Sequence, residues 1–324
     1  MEYELAESRI DSIRQLVETR LSELIKQQTG IYGEVAHNSG EVLLAGGKRL
    51  RPILLLLAYE LAGGKDKESI IPLALAFELI HTATLIHDDI NDQADKRRGK
   101  QTIHDKYGVP KAIISGDWLF TQGFSFGGRY GERVVEIITR SCSGLAAAEY
   151  SQLNHVLDLS TSPEDYLEII IGKTAGPFSC ACEVAGIIAG LDEEKCQLLS
   201  EFGMELGITF QLVDDILDVK GDERMGKPRG ADVYEGKMTL PLIHSLTLLH
   251  GEKRQRLAEV IRDFDDEKFE ELITLLNHSG SLDYCEILIQ NHIERALGKL
   301  ELFGDSEAKK LLLHVARLVQ VRHS

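Results

Sequence analysis

Two apolar runs in this chain end in aspartates at the same spacing: LIHDDIND, with Asp88, Asp89 and Asp92, and FQLVDDILD, with Asp214, Asp215 and Asp218. Both have the form D-D-x-x-D. In a helix, positions i, i+1 and i+4 fall on one side, so each motif collects three carboxylates on one patch. Charges that close repel, and each motif falls in the last turns of its expected helix, where the dipole already disfavours anions. Something cationic must compensate. Hard oxygen donors, few in number and with room left for phosphate oxygens, suit Mg2+. One such motif reads as a solvated helix end. Two, both in apolar surroundings, read as facing patches that hold a metal cluster on a diphosphate.

Helical periodicity runs nearly the whole length of the chain. Residues 4–27 read as an amphipathic helix and 33–45 as a second element. GGKRLRP leads into a buried helix, ILLLLAYELAG, which Gly63 and Gly64 end. Residues 69–92 form a long apolar helix carrying the first acidic motif, and QADKRRGKQT after it reads as a polar loop. Two core helices follow at 110–127 and 131–157. Ser162-Pro163-Glu164 is an N-terminal helix signature. Residues 193–219 carry the second motif. The stretch from Gly221 to Met238 is long for a helix connection, and loops of that length are commonly functional. Helices resume at Leu240, with breaks near Gly251, Gly280 and Gly304. No linker divides the chain. The expected fold is all-α: a single domain over 1–324, one large helical bundle around a central active-site cavity.

Composition narrows the partners. With 43% hydrophobic and 27% charged residues over 324 positions, the chain is globular and buries a sizeable core. A net charge of −16 argues against nucleic acid and against anionic lipid, both of which call for a basic surface. The five cysteines include no C-x-x-C pair, so they read as free thiols in a reducing cytoplasm, not a zinc site. The charged N-terminus is no signal peptide. The longest apolar candidate, 169–191, is broken by Lys173, Pro177 and Glu183, so no transmembrane segment is expected.

Against this acidic background, clusters of cations stand out. Gly46-Gly47-Lys48-Arg49-Leu50-Arg51-Pro52 sets three cations beside two glycines at a helix start, where backbone amides face an anion. Lys96, Arg97, Arg98 and Lys100 follow the first acidic motif directly. Taken blandly, these are surface cations in a turn and a loop. Lys173-Thr174, Lys227, Arg229 and Lys237 are single signals. His81 lies two turns before Asp88 on the same side and reads as ligand-facing, whereas His87 reads as a core residue. No nucleophile–histidine–acid set, GxGxxG or P-loop pattern occurs. Acidic patches, cationic phosphate grips and an apolar wall together point to metal-assisted departure of a diphosphate.

GGKRLRP, HDDIND, the following RRG, GKT, FQLVDDILD and the later lysines occur in an order that closely resembles the trans-type isoprenyl diphosphate synthases (polyprenyl synthetases), over nearly the whole chain. The resemblance implies that Asp88, Asp89, Asp92, Asp214, Asp215 and Asp218 hold Mg2+ on an allylic diphosphate. It implies that Arg97, Lys173, Lys227 and Lys237 contact that diphosphate. Lys48, Arg51, His81 and Arg98 would grip isopentenyl diphosphate, and Thr174 and Gln211 would lie near the developing carbocation. The implied reaction is head-to-tail condensation: ionisation, attack by the isopentenyl double bond, and loss of a proton to the departing diphosphate. A homodimer is implied as well.

Product length follows from the helix that ends in Asp88. One turn above the motif stand Ala83 and Thr84, both small, then Ile80 and Phe77, the expected floor. Each turn of about 5.4 Å matches about one isoprene unit, which gives an expected product of roughly 30 to 40 carbons. The first motif lacks the two extra residues usual in bacterial farnesyl synthases, although a shorter geranylgeranyl or farnesyl product is the alternative. A terpene cyclase needs no second diphosphate site, so GGKRLRP and Arg97-Arg98 argue against it. A non-catalytic subunit tends to lose motif aspartates, and all six are intact. A plain helical scaffold would bind no diphosphate.

Overall fold

The computed structural model describes residues 2–221 and 229–321. Lys227 lies outside the described residues. The elements in order are α1 (Glu2–Tyr32), α2 (Glu34–Leu43), α3 (Leu50–Leu61), α4 (Lys67–Asn91), β1 (Lys96–Arg97), β2 (Lys100–Gln101), α5 (Ile103–Tyr107), α6 (Val109–Gly127), α7 (Glu132–Asn154), α8 (Pro163–Ile170), a widened π turn (Ile171–Ala175), α9 (Gly176–Ala189) and α10 (Glu193–Lys220). Then come α11 (Ala231–Tyr234), α12 (Leu240–Leu248), α13 (Gly251–Arg262), α14 (Phe269–His278), α15 (Ser281–Glu301) and α16 (Glu307–Val321). The all-α expectation holds.

Both acidic motifs occupy the last turns of their helices. Asp92 is the C-cap of α4, and Asp214 to Asp218 stand in the last two turns of α10. Two local features depart from the expected pattern. The polar loop after the first motif is a small antiparallel hairpin pairing Lys96 with Gln101 and Arg97 with Lys100. Its two central residues, Arg98 and Gly99, have φ of 51° and 75°. Two successive positive φ values make the tight turn whose twist matches a hairpin. The second departure is the π turn that carries Lys173 and Thr174; such widened turns concentrate at functional sites.

α4 also revises the expectation on apolar runs. By length and composition it is long enough to cross a membrane, but 78% of its apolar stretch is buried inside the protein, as in a core helix. Its N-cap Asp66 accepts a bond from Ser69 N at 3.2 Å. Pro72 lies inside it and removes one ladder donor. Beside that gap the Tyr130 hydroxyl accepts from Leu73 N at 3.2 Å and donates to Ser69 O at 2.6 Å, a side chain inserted into the ladder. Farther along, Ser162 and Asp165 form a reciprocal capping box at the start of α8, with Pro163 in the first turn.

The chain forms two compact units. The first comprises residues to Thr139 with Ala181–Leu199 and Phe303–Leu312, and the second Arg140–Cys180, Ser200–Leu302 and the residues from Leu313. In the first, α3 and α4 are buried along most of their length. In the second, the core gathers Leu212, Ile216, Leu242, Val260, Leu272 and Ile289 around α10. All five cysteines are free. Burial pushes the thiols of Cys142, Cys182 and Cys285 up to about 11, 12 and 12, so they carry no thiolate near neutrality.

The second unit is built on close backbone approach. A Cβ on Gly203 would lie 2.5 Å from Phe178 O, and one on Gly207 would lie 2.4 Å from Ala175 Cα. A Cβ on Gly172 would meet Gly144 O of α7 at 2.7 Å. The π turn is thus pressed between α7 and α10, Gly172 against Gly144 and Ala148, and Ala175 against Gly207. Gly207→Ala forces backbone against backbone and should cost about 2–3 kcal/mol. Gly298→Ala, which meets nothing within 4 Å in the interior of α15, should stabilise by about 0.5–1 kcal/mol. Urea unfolding of the two variants checks both signs.

Candidate active site

In the first unit the acidic and cationic motifs meet at the C-terminal end of α4. Asp89 is 2% exposed, and Arg97 Nε donates to its Oδ1 at 2.6 Å. Burial raises the Asp89 carboxyl above its usual range, and Arg97 opposes that shift. Asp88 and Asp92 are half-buried. The hairpin therefore returns Arg97 to the helix it follows. Arg98, at the turn, donates to Gly46 O, and its guanidinium occupies the space where Gly47 lacks a side chain. GGKRLRP and the RRG segment, 52 residues apart at this bond, are one local structure.

The cations divide by role. Arg49 is 3% exposed and satisfied within the protein: Nε donates to Glu18 at 2.7 Å, Nη1 to Glu78 at 2.5 Å and Nη2 to Leu43 O at 2.6 Å. It anchors the loop. Lys48 is exposed and Arg51 half-buried. Burial pushes the Arg51 guanidinium down to about 10, while Glu78 and Asp88 pull it back up. His81 is held well below its usual value, first by burial and then by Arg51, Arg98, Arg97 and Arg49. It is a neutral imidazole among four guanidinium groups. His87 instead packs on α6, with Nε2 3.3 Å from Ile113 O and its ring 6.0 Å from that of Phe120. A cleft of about 300 Å3 opens beside Asp89, lined among others by Arg97, Arg98, Lys100 and Lys106.

In the second unit the π turn sets Lys173 and Thr174 against different partners. Lys173 Nζ pairs with Glu149 Oε2 at 2.5 Å and also donates to Gln152 of α7. Thr174 Oγ1 donates to Gln211 Oε1 at 2.8 Å, and Gln211 Nε2 donates to Asp215 Oδ1 at 2.9 Å. Asp215 is 2% exposed and also accepts from the Tyr166 hydroxyl at 2.6 Å. Burial, with Asp232 nearby, pushes Asp215 up to about 7, although both of those hydrogen bonds oppose the shift. Asp214 is half-buried. Asp218 accepts from Asp232 N at 3.2 Å, and Lys237 pairs with Glu235 at 2.5 Å.

The two motifs are built alike. In each, the second aspartate is buried and bonded to donors of its own unit. Among the described residues no three His, Cys, Asp or Glu side chains converge into a metal cage by themselves. A few hard oxygens short of a cage fit a cation that completes its shell with water and phosphate.

Sequence reading missed Arg49–Glu78, Tyr166, and the Glu149 and Gln152 pair. Glu78 gave a signal, since a lone carboxylate in an apolar helix requires a partner. The other partners lie far off in sequence and gave none. Arg49→Met strands buried Glu78 and should cost about 3–5 kcal/mol. Lys48→Met, at an exposed position, should change stability by no more than about 0.5 kcal/mol. Chemical denaturation distinguishes the buried anchor from the exposed cation.

Residues 34–276 match the family model for polyprenyl synthetase. The chain is 34% identical over 288 residues to the octaprenyl diphosphate synthase of Escherichia coli, covering 87% of this chain and 88% of that one. It is 34% identical over 290 residues to a short chain isoprenyl diphosphate synthase of Methanothermobacter thermautotrophicus, covering 88% and 89%. The polyprenyl synthase of Caulobacter crescentus, solved with calcium and isoprenyl diphosphate, superposes with a TM-score of 0.90 at 33% identity, over 98% of each chain. The chain belongs to the polyprenyl synthetase family, the trans-isoprenyl diphosphate synthases.

Proposed function

We propose that this prenyltransferase extends an allylic prenyl diphosphate with isopentenyl diphosphate to a medium- or long-chain all-trans product of roughly 30 to 40 carbons, one isoprene unit per helical turn. The observation that carries the two-diphosphate reading is the junction in the first unit. Half-buried Asp88 and Asp92 stand on the helix that also carries His81, a neutral imidazole among Arg51, Arg97, Arg98 and Arg49. One unit thus presents carboxylates for metal-bound phosphate and guanidinium groups for bare phosphate.

The carboxylates fit Mg2+: Asp88 and Asp92 are half-buried in the first unit and Asp214 and Asp218 in the second, whereas Asp89 is buried against Arg97 and Asp215 against Tyr166 and Gln211. Bound there, Mg2+ would neutralise and orient the leaving diphosphate. Arg97, Lys173, Lys227 and Lys237 take the allylic diphosphate as charge-assisted donors. Lys48, Arg51, His81 and Arg98 hold isopentenyl diphosphate, to which neutral His81 offers one N–H without adding charge. Thr174 Oγ1 and Gln211 Oε1 face the cation that forms when the allylic C–O bond breaks. The isopentenyl double bond attacks that carbon, and the departing diphosphate takes the proton. A second copy of the chain suits the exposed apolar stripe of Ile113, Ile114 and Phe124 on α6 with Ile31 and Tyr32. Free cysteines fit a reducing cytoplasm.

Asp88→Ala and Asp214→Ala should each cost about 3 kcal/mol or more in the chemical step, a hundredfold or greater loss of kcat with the fold intact. Near-normal turnover contradicts the metal role. The length of the product rests on α4, where Phe77, Ile80, Ala83 and Thr84 are all buried. Ile80 packs where Gly123 of α6 has no side chain, 2.6 Å from an added Cβ. Incubation with Mg2+, isopentenyl diphosphate and farnesyl diphosphate should give a ladder ending near 30 to 40 carbons by mass spectrometry, as the turn count requires. Phe77→Ala should lengthen that ladder and Ala83→Phe should shorten it. A wild-type stop at 15 or 20 carbons selects the short-chain reading.

A further inference from the structure

We propose that Tyr166 is a positioning residue for prenyl transfer: by holding Asp215, its hydroxyl fixes the Gln211 amide so that Gln211 and Thr174 present oxygen to the developing cation. The proposal rests on the placement of Thr174 and Gln211 beside that cation. Its support is a directional chain of hydrogen bonds within one unit.

Tyr166 is 5% exposed and its ring belongs to the apolar core of the second unit. A phenol buried in such a core needs a partner for its O–H. It donates to Asp215 Oδ2 at 2.6 Å, a short charge-assisted bond. Tyr166 and Gln211 each donate to one Asp215 oxygen, and Gln211 turns its nitrogen that way, with Nε2 2.9 Å from Oδ1. The amide oxygen then points away from Asp215 and accepts from Thr174 Oγ1 at 2.8 Å. With its proton committed, Thr174 has only lone pairs left to offer outward. Each bond sets the direction of the next. Tyr166 is the one member of the chain that lies outside both FQLVDDILD and GKT. Dipoles fixed in advance stabilise a cation without reorganising as it forms.

Nothing at the π turn repairs the loss of that hydroxyl. Gly207 lets α10 press on the turn at Ala175, and Gly203 does the same for Phe178 just beyond it, so Thr174 cannot follow a drifting Gln211. Without the phenol, Asp215 keeps the Gln211 donor but loses the one that fixes its other oxygen. The carboxylate can then rotate, and the amide with it.

The test is single-turnover prenyl transfer with Tyr166→Phe, which keeps the ring and removes only the hydroxyl. The rate should fall roughly tenfold to a hundredfold, as expected when a reacting geometry is loosened by a fraction of an ångström. KM for both diphosphates should stay within about threefold, because no phosphate contact changes. In a Gln211→Met background the same substitution should add less than about a twofold loss, since its route of action is already gone. A full-rate Tyr166→Phe enzyme overturns the proposal, as does an undiminished further loss in the Gln211→Met background. Should Tyr166→Phe fail to fold, Asp215→Leu tests the same chain: it removes the acceptor that holds the Gln211 nitrogen, so near-normal turnover again overturns it. A wild-type protein that leaves isopentenyl diphosphate unconsumed refutes the proposed reaction instead, and is read before any variant.

Discussion

Everything at this site depends on buried carboxylates being satisfied by donors of their own unit. Asp89 has Arg97, Glu78 has Arg49, and Asp215 has Tyr166 and Gln211. An unpaired carboxylate at that depth would cost several kcal/mol or give up its charge. With these pairs made, the chain can hold three acidic residues per motif in a low-dielectric setting without collapse of the helix ends. The arrangement also divides the work within each motif. The second aspartate of each motif is buried and bonded within the protein, and we propose that its half-buried neighbours are the ones that bind the cation.

The second requirement is close approach. The π turn stands between α7 and α10 because Gly172 and Gly207 remove the side chains that would hold the backbones apart, and Gly203 does the same where α9 begins. That packing turns two consecutive residues to separate partners, Lys173 to Glu149 and Thr174 to Gln211. In the first unit the corresponding device is the tight turn at Arg98-Gly99, which folds a cationic strand back beside the helix that precedes it. One unit builds its site by a hairpin and the other by a widened helix. The hairpin sets Arg97 on Asp89, and the widened helix sets Thr174 on Gln211, which holds Asp215.

Most of the helices were legible because apolar spacing is a local signal, and the D-D-x-x-D spacing alone placed three carboxylates on one helix face. The hairpin was not legible, since KRRGKQ is uniformly polar and only the positive φ at Arg98 and Gly99 makes it turn. The π turn was not legible either, because nothing in IIIGKTAG breaks helical spacing; its cause is packing by glycines some thirty residues away on α10. Within the first cationic motif, the sequence offered three equivalent cations. Only its burial and its bonds to Glu18, Glu78 and Leu43 O mark Arg49 as an anchor. The same limit applied to the aspartates: of the identical letters at positions 88 and 89, the first is half-buried and the second buried.

The central claim is that division of labour within the acidic motifs, and the most direct measurement is the Mg2+ dependence of turnover for Asp89→Asn and Asp92→Asn side by side. Each removes one charge and leaves the shape nearly unchanged. If the account holds, Asp92→Asn moves half-maximal turnover to markedly higher Mg2+, whereas Asp89→Asn lowers stability and rate but leaves the half-saturating Mg2+ concentration where it was. Equal shifts in the two variants, or a shift in Asp89→Asn alone, would contradict it.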